Sequence, residues 1–295
     1  MSQNSSKRVA IITGASSGIG KASAVLLAAN GFAVVLAARS VEAMNRLRGE
    51  IEAKGGSALV IPTDVRDEAQ TRALLEQTLA HYGRIDVLVN NAGYSPAAAL
   101  EQLSRSEIRD VFETNLFSLM QLTAEVIPIM RKQGSGRIIQ MGSLTSQLAS
   151  PLACPYAATK GAMEAMTNCL RLELLPWNIR VSLLLPGIID TPAFDKSRDS
   201  GEKLRNDSSN PYQRLMLSLN DFANSQLRNP TTPEAVAKAV LHAAIAEHPR
   251  EYYFIPFSSR IMAAIMARLS PRSRDKLLGL IYGLPTLVKS GKGNW

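Results

Sequence analysis

The sequence predicts an α/β fold, a single doubly wound domain with a seven-stranded parallel sheet and helices on both faces. Short apolar, β-branched runs alternate with longer segments of helical periodicity over the first 257 residues. This alternation favours parallel strands, because each helical crossover returns the chain to the same edge of the sheet. Continuous apolar runs such as 181–185 suit strands that are buried on both faces.

The individual elements follow from the same patterns, and no repeat or low-complexity linker interrupts them. Strands are predicted at 9–13, 33–38, 58–62, 86–90, 137–141, 180–185 and 252–256. Helices are predicted at roughly 18–30, 41–54, 67–81, 105–132, 156–175 and 233–247.

Two stretches fall outside this alternation. Residues 195–229 are polar and rich in Ser and Asn, and we expect an irregular insertion that serves as a substrate lid. Residues 258–295 form a basic C-terminal extension with two amphipathic halves, 261–269 and 276–284, separated by Pro271. The domain proper is therefore expected to span residues 1–257.

Composition excludes several classes of protein. The chain has 295 residues, of which 46% are hydrophobic and 20% charged, a balance typical of soluble globular proteins. The polar N-terminus lacks the pattern of a signal peptide, and no apolar run reaches the length of about 18 residues that spans a membrane. Two cysteines, Cys154 and Cys169, and three scattered histidines predict neither a disulfide framework nor a metal site. A reducing, cytoplasmic compartment is expected.

The formal net charge of +8 is concentrated in the extension. Residues 258–295 contain seven basic residues and one acidic residue, so they carry +6 and the first 257 residues only +2. We therefore expect no nucleic-acid binding. Three interpretations of the extension stay open: peripheral contact with an anionic membrane, a cap on the pocket or on a partner subunit, and an ordinary packed helix.

A glycine-rich turn, Thr13-Gly-Ala-Ser-Ser-Gly-Ile-Gly20, follows the first strand and precedes a helix. Glycines let the backbone turn tightly and approach a pyrophosphate, and the helix N-terminus offers free N–H groups to it. The position of the turn within a strand–turn–helix unit predicts a dinucleotide site.

The end of the second strand bears on the choice of nucleotide. An acidic residue there binds a ribose 2′-hydroxyl and repels a 2′-phosphate, whereas this chain has Ala38-Arg39-Ser40. Arg39 can pair with a phosphate dianion, and Ser40 can donate a hydrogen bond. NADP(H) is favoured on these grounds, the alternative being a solvent-exposed arginine that opens a helix.

Tyr156 and Lys160 lie four residues apart at the start of a predicted helix, and therefore on one helical face. A phenol with a pKa of about 10 is a poor base at neutral pH. A neighbouring ammonium is expected to lower that pKa, which suits acid/base chemistry. Alone, such a pair is also compatible with an amphipathic surface.

Three further motifs complete the pattern: Asn90-Asn-Ala-Gly93 after the fourth strand, Gly142-Ser143 after the fifth, and Pro186-Gly-Ile-Ile-Asp-Thr191 after the sixth. With the glycine-rich turn and the Tyr-x-x-x-Lys pair, they occur in the order found in the short-chain dehydrogenase/reductase family. The chain resembles that family over about residues 7–256, and around 178–194 it looks like the steroid- and retinol-converting branch.

The resemblance implies a Rossmann fold and site residues with assigned roles. The implied catalytic residues are Asn115, Ser143, Tyr156 and Lys160. The implied cofactor-binding residues are Gly14, Ser16, Ser17, Gly18, Ile19, Gly20, Arg39, Ser40, Asp64, Val65, Asn90, Ala92, Gly93, Tyr156, Lys160, Pro186, Gly187, Ile189 and Thr191. The residues expected near the substrate are Ser95, Ser143, Leu148, Cys154, Tyr156, Ile188 and Phe194.

The activity that follows is NADP(H)-dependent hydride transfer between nicotinamide and a secondary alcohol or its ketone, with Tyr156 as the acid/base. The apolar residues near the substrate favour a lipophilic compound, such as a steroid, retinoid or polyketide. A 3-oxoacyl-thioester reductase is an alternative, for which Arg198, Lys203 and Arg205 could hold acidic groups. A catalytically silent NADP(H)-sensing or scaffold protein is another. Relatives imply a homodimer or homotetramer.

Overall fold

A computed structural model describes residues 7–228 and 230–284, apart from the side chains of Ala193, Lys196 and Arg198. Its sheet has seven parallel strands in the order β3-β2-β1-β4-β5-β6-β7. The strands are β1 Val9–Thr13, β2 Ala33–Ala38, β3 Ser57–Pro62, β4 Val87–Asn90, β5 Gly136–Met141, β6 Ile179–Pro186 and β7 Tyr252–Ile255. The predicted sheet is confirmed, with strand ends within one residue of those expected.

The helices cover both faces of the sheet. They are α1 Gly18–Ala29, α2 Val41–Glu52, α3 Glu68–Tyr82, α4 Arg105–Phe112, α5 Ser118–Gln133, α6 Cys154–Leu174, α7 Pro192–Ser200, α8 Glu202–Asn206, α9 Gln213–Leu227, α10 Pro233–Ile245, α11 Ser259–Arg268 and α12 Pro271–Ile281. The predicted helix 105–132 is divided, because a π-helical turn over Glu113–Phe117 separates α4 from α5.

The central strands are apolar on both faces because both faces are covered. In β1, Ala10 and Ile12 pack in the cluster formed with α1, α2 and α10, whereas Val9 and Ile11 pack in the cluster formed with α3 and α5. The direction of winding reverses at β1, which lies between β2 and β4. In sheets of this kind the crevice beside the carboxyl ends of those strands is the usual ligand site.

The expectation of an irregular segment at 195–229 is wrong. Most of it is helical, in α7, α8 and α9. Ser and Asn are weak helix formers, so the local sequence does not predict the helix α9. Its apolar residues Met216, Leu219 and Phe222 recur every three positions, and Leu219 and Phe222 pack against the C-terminal helices. Tertiary packing therefore supplies the stability that local propensity lacks.

The C-terminal extension is helical and docked. Pro271 does not merely separate its halves but starts α12, and the Ser270 hydroxyl caps that helix by accepting a hydrogen bond from the Ser273 amide at 3.3 Å. Met266, Leu278 and Tyr282 are buried in a cluster shared with α9 and with the segment after β5. Among the described residues, no helix is both long and apolar enough to cross a membrane.

Candidate active site

The glycine-rich turn between β1 and α1 has the backbone shape expected of a phosphate cradle. Gly14 and Gly18 have φ values of 66° and 53°, in the left-handed region that favours glycine. A Cβ on Gly20 would lie 2.3 Å from the Gly14 carbonyl oxygen, so no side chain fits there. Ser17 stands at the N-cap of α1 without a side-chain capping bond, and the first turn holds no acidic residue. The site thus suits a diphosphate.

Thr13 and Asn91 hold this turn against the end of β4, and sequence reasoning missed both roles. The Thr13 hydroxyl accepts hydrogen bonds from the Asn91 and Ala92 amides, at 2.9 and 3.0 Å. The Asn91 side-chain amide donates to the Thr13 carbonyl oxygen at 2.8 Å. Both residues stand inside the predicted motifs, but the contact between two distant segments has no local signature.

The Asn90 side chain lies in the core of the domain, whereas the sequence predicted that Asn90 binds the cofactor. That side chain is fully buried and its amide donates to the Thr123 hydroxyl at 2.7 Å and to Gln140 Oε1 at 3.0 Å. The sequence alone could not distinguish Asn90 from Asn91. The geometry makes Asn90 a link between β4, α5 and β5, and Asn91 the support of the glycine-rich turn.

The end of β2 presents a basic rather than an acidic edge. Arg39 and Ser40 are exposed, Ala38 is buried, and Ser40 begins α2 without a side-chain capping bond. The Arg39 charge also helps to lower the pKa of Asp64. This arrangement leaves a guanidinium and a hydroxyl beside the adenosine end of the crevice, where a 2′-phosphate would fit.

Asp64 and Val65 follow β3 as expected, but the Asp64 carboxylate is already engaged. Arg66 donates to it through Nε at 3.1 Å and Nη2 at 2.7 Å. This hydrogen bonding lowers the pKa of Asp64, with the nearby positive charge as a further cause. Val65 is buried. An adenine contact through Asp64 would therefore compete with Arg66.

Asn115 lies in the π-helical turn and is fully buried. Its Oδ1 accepts a hydrogen bond from the Tyr94 amide at 2.9 Å, and its Nδ2 donates to the Tyr94 carbonyl at 2.8 Å. A Cβ on Gly93 would approach Asn115 Oδ1 to 3.1 Å and Lys160 Nζ to 3.7 Å. The turn therefore brings Asn115 beside the end of β4 and the lysine of α6. Turns of this type are frequent at functional sites.

Tyr156 and Lys160 occupy the first turns of α6, facing the same end of the sheet. Lys160 Nζ lies 5.5 Å from the centre of the Tyr156 ring and donates to the Met141 carbonyl oxygen, at the end of β5, at 2.7 Å. Burial lowers the pKa of this lysine to about 8 from its usual 10.5. Below about pH 8 the Lys160 side chain is cationic, and it lies close enough to the Tyr156 ring to act on the phenol electrostatically.

Tyr156 itself departs from the expected lowering of its pKa. Burial raises the pKa of the phenol, and hydrogen bonding with Ser143 only partly opposes that effect. The loss of hydration that a buried phenolate would suffer is therefore the dominant effect on this phenol. In this state the phenol is therefore a proton donor at neutral pH.

Ser143 lies just past β5, is buried, and interacts with Tyr156. It caps the short helical turn at Leu144–Ser146 by accepting from the Thr145 amide at 3.2 Å. Ser146, a local rival in the sequence, instead donates to the Ser143 carbonyl at 2.9 Å. Ser143 is therefore the hydroxyl that the fold places beside the phenol.

The segment after β6 completes the crevice. The Gly187 amide donates to the Ile255 carbonyl at 2.8 Å, and Ile189 pairs with Thr231 in an isolated bridge. Thr191 lies against the glycine-rich turn, since a Cβ on Gly18 would come within 3.1 Å of its methyl group. The predicted cofactor residues of β1 and β6 are thus brought together.

The residues expected near the substrate are only partly grouped. Leu148 packs against the cluster of the C-terminal helices, and Ile188 and Phe194 are partly buried. Ser95 is half-buried, with its hydroxyl directed to the Pro96 carbonyl oxygen at 3.3 Å. Cys154 is exposed at the start of α6, so it is not enclosed in a pocket. The lid 195–229 and the C-terminal extension were both expected near the substrate, but not that α9 would be a helix packed with α11 and α12 beside Leu148.

Comparison with known proteins agrees with this geometry. Residues 8–202 match the family model for short chain dehydrogenases, and the chain belongs to that family. An uncharacterized oxidoreductase of Staphylococcus saprophyticus is 33% identical over 242 residues, covering 81% of this chain and 91% of the relative. A 3-oxoacyl-[acyl-carrier-protein] reductase of Thermotoga maritima is 37% identical over 189 residues, covering 64% and 77%.

Two solved structures are similar along most of their length. An actinorhodin polyketide ketoreductase with NADPH has a TM-score of 0.74 at 28% identity, covering 86% of this chain and 97% of the other. A short chain dehydrogenase/reductase from Burkholderia phymatum in complex with NAD has a TM-score of 0.77 at 28% identity, covering 90% and 95%. The fold implies a nicotinamide cofactor, and the two neighbours differ in which one they hold.

Proposed function

We propose that the chain is an NADP(H)-dependent oxidoreductase that interconverts a lipophilic secondary alcohol and its ketone, with Tyr156 as the acid/base. The observation that carries the proposal is the convergence of Asn115, Ser143, Tyr156 and Lys160 at the carboxyl edge of the sheet. Lys160 is anchored to the Met141 carbonyl at 2.7 Å, and Ser143 interacts with the phenol. These groups can handle a proton and stabilise a developing alkoxide.

The chemistry divides between cofactor and protein. When bound, the reduced nicotinamide supplies the hydride that a ketone carbon accepts. The Tyr156 hydroxyl is positioned to donate a proton to the substrate oxygen, and its raised pKa keeps that proton in place at neutral pH. Ser143 can donate a hydrogen bond to the same oxygen, and the Lys160 ammonium stabilises the phenolate that remains. Asn115 holds the Tyr94 segment beside Lys160.

The preference for NADP(H) rests on the end of β2. Arg39 and Ser40 are exposed there, and Ala38 stands where an acidic residue would repel a 2′-phosphate. The cradle of Gly14, Gly18 and the N-terminus of α1 fits the diphosphate of either nucleotide, so the charge at Arg39 is the discriminating feature.

The 3-oxoacyl-thioester reductase is a second candidate, supported by the names of two similar proteins, a 3-oxoacyl-[acyl-carrier-protein] reductase and a polyketide ketoreductase. Lys203 is exposed and Arg205 half-buried on α8, while the Arg198 side chain lies outside the described part. No relative or neighbour named above is a steroid or retinol enzyme, so that branch has no support beyond the motif at 178–194.

The test is the change in absorbance of NADPH with purified protein and two ketone panels, lipophilic ring ketones and 3-oxoacyl thioesters. Oxidation of NADPH on the first panel, lost in Tyr156→Phe, is the expected result. Faster turnover of acyl thioesters favours the second candidate. Tight NADPH binding without turnover on either panel would point to the sensing protein instead.

A further inference from the structure

The two C-terminal helices use one face each to dock on the domain. On α11, Ala263 and Met266 are buried, and on α12 Leu278 and Gly279 are buried. These inner faces pack beside Leu148, which follows β5, and beside Phe222 of α9. The opposite faces of α11 and α12 therefore point away from the domain.

The outward face of α11 is apolar although it has no cover among the described residues. Phe257 precedes the helix, and Ile261 and Ile265 lie four positions apart on α11 and therefore on one side of it. Their side chains are 60%, 61% and 46% exposed. Large aliphatic residues repeated on the exposed side of a short helix are characteristic of an interaction surface.

Basic residues accompany this apolar row. Arg260 and Arg268 are exposed on α11, and on α12 the exposed residues Arg272, Lys276 and Leu280 again recur every four positions. Residues 258–284 contain five basic residues and a single acidic one. Positive charge next to exposed aliphatic side chains matches the chemistry of an anionic lipid surface, which offers both headgroup charge and acyl chains.

We propose that the outward faces of α11 and α12 bind the surface of an anionic lipid bilayer. The helices lie against the headgroups, with Ile261 and Ile265 inserted and the basic residues in contact with lipid phosphates. A second copy of this chain is a poorer occupant, because a two-fold contact through this face would place its basic residues against one another.

The test is flotation of the full chain with two kinds of vesicle, phosphatidylcholine alone and phosphatidylcholine mixed with phosphatidylglycerol. We expect the protein to float with the mixed vesicles only, and to be released at about 1 M NaCl, where the Debye length is about 3 Å. Ile261→Ser/Ile265→Ser should lower the bound fraction by roughly tenfold or more, because it removes the inserted apolar area. Arg268→Gln/Lys276→Gln should lower it by roughly tenfold, because each basic residue contributes at the anionic surface.

Matched control variants distinguish binding through this surface from non-specific adsorption to lipid. Leu100→Ser removes an aliphatic residue that is also exposed but lies outside the extension, and Arg72→Gln/Arg109→Gln removes two exposed charges from α3 and α4. Both controls should float like the wild type, and all variants should keep its thermal midpoint. The proposal is overturned if the wild type stays unbound, or if the controls and the α11 variant lose binding equally. A change of sedimentation in the α11 variant without vesicle binding by the wild type would identify a second copy as the occupant instead.

Discussion

The Tyr282 ring packs edge-on against the Phe222 ring, with 5.2 Å between their centres. The same tyrosine accepts a hydrogen bond at its backbone carbonyl from the Ser218 hydroxyl at 2.6 Å. Its own hydroxyl interacts with Ser150, in the segment between Ser143 and Tyr156, while burial raises the pKa of the phenol. One residue at the end of α12 therefore joins the C-terminal extension to α9 and to the segment that carries Leu148.

Replacing Tyr282 should weaken the packing of α9 and of the segment that carries Ser150. We expect Tyr282→Ala to lower the free energy of unfolding by about 3 kcal/mol, since a buried aromatic ring is lost. It should also raise KM for a lipophilic ketone by roughly tenfold, the scale of a lost apolar pocket contact, with a smaller effect on kcat. Tyr282→Phe keeps the ring and should stay within about 1 kcal/mol of the wild type in urea denaturation. Equal effects of both variants would show that the hydroxyl, not the ring, makes the connection.

Arg39 should set the preference for the nucleotide. Arg39→Ala is expected to raise the Kd for NADPH by about 10- to 100-fold, since a charged hydrogen bond contributes about 1.5–3 kcal/mol. Binding of NADH should not change, because NADH lacks the 2′-phosphate. Arg48→Ala, which alters another exposed arginine on the neighbouring α2, is the control. Titration by nucleotide fluorescence measures both constants, and a parallel loss for the two nucleotides contradicts the assignment.

Lys160 should make stability depend on pH in a defined direction. Its pKa is about 8 in the folded chain and 10.5 when unperturbed, so between these values the unfolded state holds the extra proton. Stability therefore rises with pH across this window, by about 1.4 kcal/mol per pH unit. Lys160→Met lacks this contribution, so the wild type should gain stability over the variant from pH 8 to 10. Chemical denaturation at several pH values measures the difference.

The control for this comparison is Lys132→Met, which replaces an exposed lysine near the end of α5. Its stability profile should run parallel to that of the wild type over the same pH range. If Lys160→Met also runs parallel, burial does not perturb Lys160 as inferred.

Thr13 should matter for folding as well as for cofactor binding. Thr13→Val keeps the shape but leaves the Asn91 and Ala92 amides without their acceptor. We expect a loss of about 1–3 kcal/mol in the free energy of unfolding, because partly buried donors left without an acceptor are costly. Thr13→Ser retains the hydroxyl and should lose much less. Similar losses in both variants would contradict this prediction, because Thr13→Ser keeps the acceptor that Thr13→Val removes.

Most of the sheet could be predicted from the sequence because its strands are buried on both faces. The run at 181–185 and the strand Val9–Thr13 are apolar except for Ser182 and Thr13, and this pattern does not depend on which distant segments pack against them. The order of the motifs likewise located Ser143, Tyr156 and Lys160, since each follows a strand or opens a helix. These signals are local, and local signals are readable from one sequence.

The remaining features depend on contacts between distant segments. α9 was not predicted because its stripe of Leu219 and Phe222 acquires a partner only when α12 folds against it. The side chains of Asn90 and Asn91 point to opposite environments, and the motif alone does not say which. The raised pKa of Tyr156 reflects desolvation, which the spacing of two residues cannot report.

The docking of α12 on α9 also bears on how α9 can move. If α9 moved away alone, it would break the Ser218–Tyr282 hydrogen bond and separate the Phe222 and Tyr282 rings. Tyr282 thus joins α9, the end of the extension and the segment with Ser150. We expect a displacement of α9 to move all three chain segments together, a collective motion slower than the fluctuation of a single loop.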